Sequence, residues 1–196
     1  MAKIMKVSGR DIAAAPAEAY AQHQQYIKYL EVDKVVFMLM HDVLRIHSDH
    51  YAIGGSWAMI GYGISVPREP HDVDVIVPQN MIGTIKHIIK LMVAYPDATF
   101  MVIDVKETVY PSPYSRISLR YCGYSIDILA SDRFEPVKGV KHCNLEDLMQ
   151  IAVVKQQWAR EKDLADIKLI REWVKQGKIT PSPVPVKRTE DDDLPF

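Results

Sequence analysis

Only two of the 196 residues are cysteine, Cys122 and Cys143. That is too few for a disulfide framework or a zinc site of cysteine pairs, so two reduced thiols in a reducing compartment are expected. An excess of charge is missing too: 24 Lys and Arg stand against 25 Asp and Glu, a formal net charge of −1. So balanced a chain has no general pull on nucleic acid or anionic membranes, though a local basic groove is compatible with it. No stretch approaches ~18 uninterrupted apolar residues, the length that a membrane-spanning helix needs. The opening MAKIMKVSGRDIAAAPAEAY carries lysines but no apolar run long enough for a signal peptide. A soluble, cytoplasmic chain with no membrane partner is the expectation. Hydrophobic residues make up 48%, enough to build the packed core of one domain or of one domain with a small helical annex.

The pattern along the chain alternates between helical and strand periods, without internal repeats. Residues 17–48 place Ile27, Leu30, Val36, Leu39, Met40, Val43, Leu44 and His47 on one helical stripe, with a break expected near Val32-Asp33. YAIGG reads as a short buried strand stopped by glycine, and SWAMIGYG as a short helix capped by Ser56. DVDVIV is a β-branched strand, and residues 79–95 form an amphipathic helix ended by Pro96. Three strands are predicted next, over 99–105, 116–121 and 124–129, the last two joined by a hairpin-like break at Cys122-Gly123. From Leu145 the pattern is helical again, with a restart near Lys162-Asp163, before a tail of prolines and acidic residues expected to be extended. The sum is an α+β chain: a small mixed β-sheet flanked by helices, with N- and C-terminal helical segments. The expected division is a helical segment over 1–50, a core over 51–130, a helical part over 131–177 and a tail over 178–196.

The chemistry concentrates in the stretch YAIGGSWAMIGYGISVPREPHDVDVIV. Strand side chains alternate, so Asp72 and Asp74 share a face with Cα atoms roughly 6.5–7 Å apart. Two carboxylates at that distance can share divalent ions, whose paired catalytic form has the metals ~3.5–4 Å apart. A third carboxylate, Asp127, lies in a second apolar strand, YSIDIL. The glycines Gly54 and Gly55 leave backbone free to approach a phosphate, and Ser56 adds a hydroxyl at a helix start.

These residues resemble the DNA polymerase β-like nucleotidyltransferase superfamily, in which a Gly-Gly or Gly-Ser turn and a helix precede an alternating Asp-x-Asp strand. A nearer likeness is to small members with an arginine ahead of the acidic pair. Those are the aminoglycoside and lincosamide nucleotidyltransferases and the nucleotidyltransferase toxins of abortive-infection systems. The resemblance covers residues 50–130 and implies that Gly54, Gly55 and Ser56 hold a nucleoside triphosphate such as ATP. It implies further that Asp72, Asp74 and Asp127 bind Mg²⁺, two ions in all, and that Asp127 activates the acceptor hydroxyl. The helical segment LEDLMQIAVVKQQWAREKDLADIKLI is similar to those toxins and antibiotic-modifying enzymes, in which a helical lysine precedes a K-D-x-x-D stretch. Lys155 is then expected to reach the triphosphate, with Asp163 or Asp166 orienting it or pairing with Arg160, unless the helix pair merely carries a solvated charged face. Arg68 either neutralises phosphate bidentately or sits in a solvated loop beside Glu69.

Other candidates carry less. His71 precedes the acidic strand and points away from Asp72, in a structural or supporting role. His41, His47 and His50 suit no standard metal-ligand set. Lys86, Lys90, Arg116 and Arg120 read as scattered surface cations, or else as a basic patch. The expected activity is Mg²⁺-dependent transfer of a nucleoside monophosphate to an acceptor hydroxyl, with pyrophosphate released. A nucleotide-binding or toxin–antitoxin regulatory module on the same fold is the alternative. Composition chooses neither a small molecule nor RNA as acceptor, and it leaves the oligomeric state open.

Overall fold

The computed structural model describes residues 15–94, 101–104 and 115–178. The proline-rich tail beyond residue 178, Pro96 and the ends of the strand expected over 99–105 lie outside them. The described elements are α1 (Ala15–Phe37), β1 (Ala52–Ile53), α2 (Gly55–Gly61), β2 (Asp72–Pro78), α3 (Ile82–Val93) and β3 (Met101–Asp104). There follow β4 (Arg116–Tyr121), β5 (Tyr124–Ser131), β6 (Asn144–Leu145), α4 (Leu148–Trp158) and α5 (Glu161–Lys175). The strands form one mixed sheet in the order β3-β4-β5-β2-β1-β6, flanked by helices.

Two pairings fix everything that matters for the site. Cys122 and Gly123 both have positive φ, 48° and 83°, so the hairpin between β4 and β5 closes in two residues and needs no slack. Its register pairs Tyr121 with Tyr124 and, counting back, Ser118 with Asp127. β2 then lies parallel to β5 with Asp74 opposite Asp127 and Ile76 opposite Leu129. One face of these strands, Val73, Val75, Val77, Ile117, Leu119, Ile126 and Ile128, is buried in a continuous core with α1, α2 and α3. Each such side chain contributes ~1.5–3 kcal/mol on burial, which pins the alternation and turns the aspartates to the other face.

The N-terminal helix departs from expectation. It runs unbroken through Val32 and Asp33 and ends in a π-helical turn, Met38–Val43. Its inward face is Tyr26, Tyr29, Val32 and Val36, offset from the Ile27 and Leu30 of the expected stripe, which stay half-buried; His47 is exposed. Asp33 does not break the helix because it has partners elsewhere: its carboxylate accepts the backbone N–H of His142 at 3.2 Å and of Cys143 at 3.0 Å. A buried carboxylate satisfied by two N–H donors is tolerated where an unpaired one is not.

Further differences concern the helix starts and the C-terminal region. α2 begins at Gly55 with Gly54 as its cap, rather than on a Ser56 cap, and no side chain caps it. Leu145 belongs to a strand, β6, which pairs parallel to β1, so the sheet takes a sixth strand from beyond the expected core. Only then does α4 start, capped by the Asp147 side chain on Met149 and Gln150 N–H. The break before α5 falls at Ala159, in a left-handed conformation, with Arg160 as the extended cap. Among the described residues no helix is long and apolar enough to cross a membrane.

Candidate active site

The sheet face that carries the aspartates looks into a cleft of about 250 Å³, walled on its far side by α4 and the start of α5. Asp72, Asp74 and Asp127 each offer a carboxylate oxygen, and the three oxygens lie within 4.8 Å of one another. Asp72 is exposed, Asp74 half-buried and Asp127 buried. Burial first, and then the charges of Asp72 and Asp127, push the Asp74 carboxyl up to about 7, against the smaller pull of Lys155 and Arg116. Beyond the acids the floor turns apolar with Ile76 and Leu129, facing Ile151, Val154 and Trp158 of α4.

Behind Asp74 stands the glycine turn. Gly54 donates its N–H to the Asp74 carbonyl at 2.8 Å, locking the turn to the acidic strand. Gly55 has φ +57°, and a Cβ there would strike the Asp74 carboxylate. Both facts demand glycine. Gly55→Ala is expected to lower stability by about 1–2 kcal/mol for the left-handed backbone alone and to displace Asp74. Thermal unfolding measured with and without Mg²⁺ reports both effects: the melting point falls, and any rise that Mg²⁺ gives the unaltered protein disappears.

The Gly55 N–H is already engaged, by Glu146 Oε2 at 3.1 Å. Glu146 is buried and reaches this point because its own N–H bonds to the Ile53 carbonyl at the end of β1. Burial, opposed by the Gly55 N–H and reinforced by Asp74, raises its carboxyl to about 7. Ser56 is held differently: its hydroxyl accepts from Arg68 Nη2 at 3.1 Å.

Arg68 and Lys155 converge on one carboxylate. Asp166, fully buried on α5, accepts Arg68 Nη1 at 2.8 Å and Nη2 at 2.6 Å, and pairs with Lys155 Nζ at 2.8 Å. The second alternative for Arg68, a place in a solvated loop beside Glu69, does not describe it: its side chain is half-buried and held by Asp166, while Glu69 pairs with Lys28. Asp163, also buried, pairs with Arg160 at 2.6 Å and more distantly with Lys155 at 3.7 Å. Burial pushes the Asp166 carboxyl up, but hydrogen bonds and charge from Arg68 and Lys155 outweigh it and hold the group below its ordinary range. The same network ties α5 to α4, to the loop before β2 and through Arg68 to Ser56.

The folded chain is similar to the crystal structure of ANT(2″)-Ia in complex with adenylyl-2″-tobramycin, with a TM-score of 0.50, 14% identity, and coverage of 78% of this chain and 92% of that one. The two chains share a fold. A solution structure of the antibiotic-resistance factor ANT(2″)-Ia matches at a TM-score of 0.42 and 11% identity, over 83% of this chain and 86% of that one. No family model matches the chain, and no curated protein matches it in sequence.

The donor set of the cleft suits a divalent cation. Three carboxylates and no softer ligand favour a hard ion of the Mg²⁺ class, and the upward push on Asp74 is the strain that a cation would relieve. Among the described residues, the sequence-derived candidates Gly54, Gly55, Ser56, Arg68, Asp72, Asp74, Asp127 and Lys155 all come to this cleft or its edge. His41, His47 and His50 are exposed and stand apart from it, and Arg120 is exposed on β4. Two residues, Ser118 and Glu146, had no place in the sequence expectation, and a third, Arg116, figured there only as a surface cation or part of a basic patch. Ser118 and Arg116 contact Asp127, at 2.6 and 2.7 Å; the two-residue hairpin was the signal, since it dictates that Ser118 faces Asp127. Glu146 had no local signal, because β6 that positions it is two residues long.

Proposed function

We propose that this chain is a Mg²⁺-dependent nucleotidyltransferase that moves a nucleoside monophosphate from a nucleoside triphosphate to a hydroxyl of a small-molecule acceptor. A bond forms between the acceptor oxygen and the α-phosphorus, the bridge from α-phosphorus to the β-phosphate oxygen breaks, and pyrophosphate leaves. The observation that carries this reading is the β2–β5 register, which sets Asp74 opposite Asp127 in one carboxylate cluster with Asp72. Bound there, Mg²⁺ would stabilise charge on the attacking and leaving oxygens.

The chain's own residues have distinct tasks. Asp72, Asp74 and Asp127 hold the cation, and Asp127 takes the acceptor proton. Gly54, Gly55 and Ser56 form the edge against which the triphosphate lies. Arg68 and Lys155, prepositioned by Asp166, supply positive charge to its oxygens. The fold likeness to ANT(2″)-Ia, seen with adenylyl-2″-tobramycin, supports a small hydroxyl compound as acceptor. The apolar floor and wall, Ile76, Leu129, Ile151, Val154 and Trp158, suit one with a flat apolar face.

Incubation with labelled nucleoside triphosphates, Mg²⁺ and a panel of aminoglycosides, uncharged hydroxyl compounds and RNA tests the proposal. Label on a small acceptor with an equal yield of pyrophosphate is the expected result. Label confined to RNA would overturn the acceptor class. Nucleotide binding without transfer to anything would leave a binding module in place of an enzyme.

A further inference from the structure

Asp127 is the most fully engaged of the three clustered carboxylates. Its Oδ2 pairs with Arg116 Nη2 at 2.7 Å, and its Oδ1 accepts the Ser118 hydroxyl at 2.6 Å. Ser118 Oγ in turn accepts Arg116 Nε at 2.8 Å, closing a three-residue ring on the cleft floor. The ring follows from strand geometry. Arg116 and Ser118 are two residues apart on β4 and share a face, and the hairpin register sets Ser118 opposite Asp127 and Arg116 opposite Leu129. The Asp127 side chain is only 6% exposed, whereas that of Arg116 is 39% exposed. The carboxylate is fixed and the guanidinium has room to leave.

We propose that Arg116 is the resident counter-cation of the acidic cluster, pairing with Asp127 in the metal-free protein and giving it up when a divalent cation arrives. The inference rests on the metal reading of the cluster given above. Two cations cannot lie against one buried carboxylate without repelling each other, and that repulsion is weakly screened away from water. Arg116 therefore opposes metal binding at this site. Once displaced it is a cation on the cleft floor beside the proposed donor, where phosphate oxygens are its natural bidentate partners. Arg116 is thus a positioning residue for Asp127, and its release couples metal arrival to a change in the charge of the cleft.

The sign of one measurement decides. Mn²⁺ affinity of the full chain without nucleotide is read by isothermal titration and by the loss of free-Mn²⁺ paramagnetic signal. Partners that merely support a metal ligand lose about 10–100-fold in affinity when removed. Removing a competing cation does the opposite, so Arg116→Met is expected to bind Mn²⁺ about tenfold more tightly, on the scale of the same outer contacts. Arg116→Lys keeps the charge and stays near the unaltered protein. Arg116→Gln repeats the gain should the methionine variant fail to fold. Unchanged or weaker Mn²⁺ binding in both neutral variants overturns the proposal. Asp72→Asn serves as the control on its foundation: if Mn²⁺ binding survives that change, the metal reading itself fails and the inference falls with it.

Discussion

Asp74→Asn is expected to cut nucleotidyl transfer by about 10³-fold while making the metal-free protein more stable. The loss follows from the site's chemistry. Metal stabilisation of transferring oxygens is worth several kcal/mol, and ~4 kcal/mol corresponds to about three decades in rate. Asn retains the shape but not the charge or the second ligand oxygen, so the fold is kept and the cation is held poorly. The gain in stability has an independent cause. Burial and the neighbouring charges of Asp72 and Asp127 push the Asp74 carboxyl up to about 7, so ionising it at neutral pH costs free energy in the folded state. A neutral isostere removes that cost. A gain of ~1 kcal/mol would raise the melting temperature by about 2–4 °C for a chain of this size. Pyrophosphate release with Mg²⁺, and thermal unfolding in a chelator, measure the two effects separately. Retained transfer would remove Asp74 from the machinery, and a lower melting temperature in chelator would show that its charge is compensated by more than Lys155 and Arg116.

Local pattern was enough to reveal the half of the site that local pattern controls. Alternation in DVDVIV set Asp72 and Asp74 on one face, and the structure keeps them there, because Val73, Val75 and Val77 bury the other. The strand over 116–121 has the expected bounds, and that over 124–129 extends two residues to Ser131. What stayed hidden depends on contacts between residues far apart in the chain. Asp33 looked like a helix breaker, yet its partners are His142 and Cys143 N–H, about a hundred residues on. Glu146 fell inside the helix expected from Leu145, whereas β6 pairs with β1 and carries it to Gly55. Arg116 read as one of four scattered surface cations, or part of a basic patch, and only the hairpin register brings it beside Asp127. Propensity and period act over a few residues; pairing across a sheet does not, and buried polar groups are the ones whose meaning pairing decides.

Asp166→Asn is expected to be the most destabilising single charge change in the cleft wall. Its carboxylate is fully buried and is the shared anion of Arg68 and Lys155, the latter only 11% exposed in its side chain. Removing one partner of a buried ion pair leaves the other charge uncompensated, at a cost of about 3–5 kcal/mol. Asp163 remains near Lys155 at 3.7 Å and Asn can still accept one bond from Arg68, so the lower end, ~3 kcal/mol, is the expected value. For this length that is a melting point about 6–12 °C lower. The pH dependence has a definite sign. The folded carboxyl lies below its ordinary range, so the unfolded chain binds a proton first as pH falls. The stabilisation by Asp166 is therefore fully present above the unfolded value of about 3.9 and is lost as pH drops through the folded one. The gap between the unaltered protein and Asp166→Asn should hold constant from pH 7 to pH 5 and close below about pH 4. Because Arg68 also holds Ser56, the same substitution should raise the KM for the nucleoside triphosphate more than it lowers kcat. A variant with normal stability and an unchanged KM would mean that neither cation depends on Asp166 for its position.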